Sequence, residues 1–145
     1  MAKVLIVYHS LSGNTKKAAE IVAEGVCSVA GAEAILKQAS EAGENDLVSC
    51  DAIAIGSPDY FGYMAGMVKD FFDRTFYPTQ GKVSNKPCGI FVTHGGGGEA
   101  VQSVKDLCRS FKFRAVSEPV SVQNSPDAKA ADALKKLGEQ LAKQS

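Results

Sequence analysis

The sequence predicts an α/β fold: a parallel sheet covered by helices on both faces. Three observations carry that expectation. The runs Val4–Tyr8, Ala52–Gly56 and Cys88–Thr93 are short and apolar almost throughout, as strands buried on both faces are. They alternate with stretches whose apolar residues recur every three or four positions, the signature of one helix face. The most unusual turn chemistry follows directly on these strands, where open α/β sheets bind their ligands.

The elements follow in order. Val4 to Tyr8 is a strand rich in branched residues. Ala18, Ile21, Val22, Val26 and Val29 then line one face of a helix. Residues 32–37 form a weaker strand suited to a sheet edge, and residues 41–47 a short helix. Ala52 to Gly56 is the second buried strand. Met67, Val68, Phe71, Phe72 and Phe76 mark the next amphipathic helix, and PTQGKVSNKP (78–87) reads as a polar connection. Cys88 to Thr93 is another buried strand, broken by the four glycines at 95–98. Val101, Val104, Leu107, Cys108 and Phe111 form a helix face. Residues 115–122 read as a strand that Pro119 confines to an edge or a bulge. A final helix spans 128–143, with Ser125 and Pro126 as its N-cap and first-turn residue. Five strands and five helices therefore alternate in one domain covering residues 1–145, with no repeat, linker or low-complexity stretch.

Bulk properties narrow the function. Sixteen acidic and sixteen basic residues cancel, so the overall charge makes no case for nucleic acid or an anionic membrane as partner. No apolar run is long enough to span a bilayer, and the amino terminus lacks the pattern of a secretory signal. The four cysteines (27, 50, 88 and 108) are far apart in sequence, form no CxxC pair, and read as buried free thiols. A cytoplasmic location is expected.

Three loops carry the chemistry. In HSLSGNT (9–15), a strand-to-helix turn gathers backbone N–H groups at the positive end of a helix dipole. Gly13 lets the backbone curl towards a ligand, and Ser10, Ser12, Asn14 and Thr15 add side-chain hydrogen bonds. This chemistry suits a phosphate. The loop is neither a Walker A nor a GxGxxG motif. It also lacks a nucleophilic cysteine and a closing arginine, so it can hold a phosphate monoester without attacking it. In GSPDYFGYMAG (56–66), Tyr60, Phe61, Tyr63 and Met64 place large apolar groups on a loop, which calls for the core or a flat ligand to cover them. In THGGGGE (93–99), four glycines present bare backbone N–H groups to a planar ring bearing carbonyl oxygens. A phosphate grip, aromatic cover and a row of donors together suit flavin mononucleotide (FMN).

These residues resemble the flavodoxin-like FMN proteins over nearly the whole chain. SLSGNT looks like that family's phosphate loop, [ST]-x-[ST]-G-x-T, which implies that Ser10, Ser12, Gly13, Asn14 and Thr15 bind the FMN phosphate. GSPDYFGYM is similar to the G-[ST]-P-x-[YR]-[FY]-G-x-M segment of the flavodoxin-like NAD(P)H:quinone oxidoreductases. That match implies that Pro58, Asp59, Tyr60, Phe61, Gly62, Tyr63 and Met64 line the flavin ring. THGGGGE looks like the third flavin loop, placing Thr93, His94, Gly95, Gly96 and Gly97 at the pyrimidine edge. The resemblance implies a flavodoxin-like three-layer sandwich, its five-stranded parallel sheet in order 2-1-3-4-5, of the short-chain form. The chain departs from carrier flavodoxins in being neutral and in having no tryptophan.

Two redox functions follow from the resemblance. One is electron transfer between partner proteins. The other is oxidation of NAD(P)H with a quinone-like acceptor, for which His94 or Tyr63 would be candidates for substrate contact or proton delivery. A non-redox binding module of the same fold is the third reading. A receiver domain would need an acidic pair at the end of the first strand, where Tyr8 and His9 stand instead. The sequence leaves the oligomeric state open.

Overall fold

Along the first strand, β1 (Ala2–Tyr8), side chains alternate between two hydrophobic layers. Val4 and Ile6 enter one, and Leu5 and Val7 the other. The computed structural model describes residues 2–145. β1 is followed by α1 (Asn14–Cys27), β2 (Ala32–Gln38), α2 (Glu44–Ser49), β3 (Ala52–Tyr60), β4 (Tyr63–Met64) and α3 (Gly66–Thr79). Then come β5 (Pro87–His94), α4 (Ala100–Ser110), β6 (Arg114–Ala115), β7 (Val120–Gln123) and α5 (Ala128–Gln144). The sheet runs β2-β1-β3-β5-β6, with β7 also on β5, and every one of these pairings is parallel.

The five positions of the expected sheet are thus present, and the fifth is occupied by two short strands. Val116 still donates to the Cys88 carbonyl (3.0 Å), after which the ladder stops until Val120 meets Phe91. Pro119, which has no N–H to give, lies in that gap. The remaining strand, β4, is an antiparallel hairpin arm on the end of β3.

The two layers differ in composition. α1 and α5 cover the face that carries Val4, Ile6, Ala52, Ala54 and Phe91. These two helices touch through Gly25 and Gly138: a Cβ on Gly25 would collide with the Lys135 backbone, and one on Gly138 with that of Val22. α2, α3 and α4 cover the opposite face, over Leu5, Val7, Ile53, Ile55, Ile90 and Val92. Phe111 is the hub there, with its ring centroid 5.1–5.3 Å from those of Phe72, Phe76 and Phe113.

Several expectations need correction. α1 stops at Cys27, so Val29 packs from the following turn rather than from the helix face. α3 runs through Pro78 to Thr79, which shortens the polar connection. α5 is capped by Asp127, whose Oδ1 accepts the Ala130 N–H at 2.8 Å, and not by Ser125. All four cysteines are free, but Cys27 is exposed, and Cys88 and Cys108 meet in space with their sulfurs 3.6 Å apart.

Candidate functional site

The carboxyl ends of β1, β3 and β5 bring the three loops together. After β1, Gly13 takes φ of 103° and opens α1 with no side chain capping it. That leaves the N–H groups of the first turn without a side-chain acceptor, at the positive end of the helix. Ser10 folds back, its Oγ accepting the Gly13 N–H (3.1 Å), while Ser12 and Leu11 face solvent. Thr15 points the other way. Its hydroxyl is buried against that of Thr93, 2.7 Å away, and so ties the start of α1 to the end of β5.

The second loop is more ordered than a loop. β3 continues through Pro58 and Asp59 to Tyr60, turns at Phe61 and Gly62, and returns as β4. Phe61 and Gly62 both have positive φ (59° and 75°), as two-residue hairpin turns of the commonest type require. The register Asp59↔Met64 and Tyr60↔Tyr63 then separates the side chains. Phe61 is fully exposed and Tyr63 partly so, whereas Met64 is buried in the core and Pro58 is buried in β3. Tyr60 stands edge-on to His9, 6.2 Å between centroids, so the first two loops touch through a residue that the motifs did not single out.

Asp59 joins the second loop to the third. Its Oδ1 accepts the N–H of Gly62 (2.8 Å), and its Oδ2 those of Gly98 (3.1 Å) and Ala100 (2.9 Å). Burial pushes this carboxyl up, but the three backbone donors outweigh it and hold its pKa below the ordinary value. Asp59 is therefore an anion that fastens the aromatic hairpin to the glycine loop and to the start of α4.

In the third loop, a Cβ built on Gly95 or Gly96 would meet nothing within 4 Å, and the same holds at Gly13. The backbone is open in front of these residues. Gly97 has Glu99 against it instead. His94 is half-buried, and its Nδ1 is enclosed without a hydrogen-bond partner. Of the seventeen residues singled out from the sequence, then, Thr15, Pro58, Met64 and Thr93 place their side chains inward. Asp59 spends its carboxylate on the protein. Ser10, Ser12, Asn14, Tyr60, Phe61, Tyr63 and His94, with the glycine backbone, are left to face a ligand.

The model of the family described as NADPH-dependent FMN reductase matches residues 2–127 of the chain. The chain belongs to that family. A flavodoxin from Aquifex aeolicus is 38% identical over 117 residues, which are 78% of this chain and 63% of that protein. An NAD(P)H dehydrogenase (quinone) from Geobacter sulfurreducens is 35% identical over 122 residues, 64% of this chain and 60% of that protein. The chain thus spans about three-fifths of the length of these curated relatives. Among solved structures, a flavodoxin from the domain Archaea superposes with a TM-score of 0.88 at 26% identity, covering 98% of this chain and 97% of that one. The fold is flavodoxin-like, and the family's members are flavin proteins by name. No helix among the described residues is long and apolar enough to cross a membrane.

Proposed function

We propose that the three loops hold FMN and that the chain is a flavodoxin-like electron-transfer protein of the cytoplasm. The observation that carries this reading is the start of α1, a helix terminus with no side-chain cap, ringed by Ser10, Ser12 and Asn14 and fastened to the other two loops. Its first-turn N–H groups and the two serine hydroxyls would take the phosphate. Tyr60, Phe61 and Tyr63 would cover the ring. Backbone N–H groups at Gly95, Gly96 and Gly97 would donate to the ring carbonyls. FMN supplies one- and two-electron redox chemistry when bound, and the chain orients the ring and controls access to it.

The first test is a visible spectrum of the purified protein, followed by titration of the apoprotein with FMN and with riboflavin. Ser12→Ala should weaken FMN binding about five- to tenfold, the equivalent of one hydrogen bond, and leave riboflavin binding unchanged. Equal losses for both ligands would remove the phosphate from this loop. An apoprotein that ignores FMN would leave only a binding module.

A second reading is an FMN-dependent NAD(P)H:quinone oxidoreductase. It is favoured by the exposed faces of Phe61 and Tyr63, on which a nicotinamide or quinone ring can stack, and by the quinone-dehydrogenase relative. Rapid mixing of the FMN-loaded protein with NADH or NADPH separates the two. Reduction without any partner protein selects the enzyme; no reduction selects the carrier.

A further inference from the structure

We propose that Cys88 and Cys108 are a reversible dithiol–disulfide site, oxidised by hydroperoxides that enter through the gap in the fifth strand. The two residues come from different elements, Cys88 from the start of β5 and Cys108 from the last turns of α4. Both are free thiols with sulfurs 3.6 Å apart. A disulfide bond is about 2.05 Å long, so the pair must approach by about 1.5 Å, a movement shared between two side chains.

Access is built into the same place. Where the ladder lapses between β6 and β7, a cavity of about 230 Å³ opens, lined by Cys88, Cys108, Lys105, Arg109, Glu118 and Pro119. Hydrogen peroxide is small enough to enter it. The thiolate is the attacking form of a cysteine. Cys108 is the more exposed of the pair and lies one turn from Lys105, which makes it the attacking group. Cys88 is suited to the second step. It lies deeper than Cys108, with its sulfur 3.6 Å from the one that the peroxide oxidises.

The steps balance. The Cys108 thiolate attacks one peroxide oxygen, the O–O bond breaks, and Cys108 becomes a sulfenic acid as hydroxide leaves. The Cys88 sulfur then attacks the Cys108 sulfur, the S–O bond breaks, and water leaves with the Cys88 proton. Overall, two thiols and one peroxide give one disulfide and two waters. The other two cysteines are placed differently. Cys50 donates its thiol to the Leu47 carbonyl at 3.3 Å, and Cys27 is exposed on α1, across the sheet.

The test uses the full chain carrying Cys27→Ser, with hydrogen peroxide at the dose that consumes Cys27 in the unsubstituted protein. Free thiols are alkylated after denaturation and the peptides are mapped. The expected result is loss of two of the three remaining thiols, a crosslinked peptide pair containing Cys88 and Cys108, and full recovery with dithiothreitol. Adding Cys88→Ser should leave a sulfenic acid on Cys108 that dimedone captures. Should that variant fail to fold, the peptide map of the Cys27→Ser chain decides alone. Alkylation of both Cys88 and Cys108 after peroxide treatment, or a crosslink to Cys50, would overturn the proposal.

Discussion

At Asp59 a single carboxylate receives three backbone N–H groups from two different loops. Truncation to alanine would leave those donors to water or unpaired, at a cost of roughly 1–3 kcal/mol for this half-buried site. Asp59→Ala should therefore lower the urea midpoint and weaken FMN binding together, because the hairpin and the glycine loop lose their common anchor. Acid should act in the same way. The folded-state pKa of Asp59 is depressed, so its contribution is complete above the unfolded carboxylate value of about 4 and fades as the pH falls through the lower folded value. Stability and FMN affinity measured from pH 7 down to 3 should decline together at the acid end, and the Asp59→Ala protein should show less of that decline. The loop motifs marked Asp59 as a ring-lining residue, and its sequence neighbourhood carries no sign of its bonding. Two of its three donors lie 39 and 41 residues away and reach it only once β3 and β5 are paired. Met64 was obscured for a related reason. The motif placed it beside the flavin, but hairpin register turns its side chain into the core.

The buried strands were legible because Val4–Tyr8, Ala52–Gly56 and Cys88–Thr93 are apolar on both faces. The hairpin was not, since Phe61 is a poor turn former and adopts φ of 59° only because pairing from Asp59 to Met64 imposes it. The split of the fifth strand was half legible: Pro119 announced an irregularity but not two separate pieces. Helix contacts were further out of reach. Gly25 and Gly138 look like ordinary breaks in helical patterns, yet each fits where the backbone of the opposing helix leaves no room for a methyl group. Gly138→Ala should therefore destabilise the protein by about 1–3 kcal/mol or more, despite alanine's better helix propensity. Urea denaturation measures this, and an unchanged or raised midpoint would show that α1 and α5 can separate freely. Because α1 carries the loop with Gly13 at its head, the same substitution should also weaken FMN binding.

For the molecule as a whole, the balance of sixteen acidic against sixteen basic residues bears on the redox potential. A strongly acidic shell disfavours a reduced, anionic flavin, and this chain has no such shell. The lower of its two one-electron couples should lie above that of acidic flavodoxins, with roughly 59 mV for each tenfold change in relative affinity for the reduced cofactor. A spectroelectrochemical titration that places it level with the acidic carriers would show that contacts around the ring, rather than net charge, set the potential. The same neutrality should make encounters with partner proteins only weakly sensitive to ionic strength.

The lapse between β6 and β7 also has a consequence for protein engineering. Between Ala115 and Val120 the backbone contributes one hydrogen bond to the sheet, from Val116 to Cys88. A peptide tag or fluorophore-bearing loop spliced after Ser117 would break no ladder pairing, and each doubling of its length would cost only about 0.6 kcal/mol of closure entropy. This turn is accordingly the natural attachment point for a reporter.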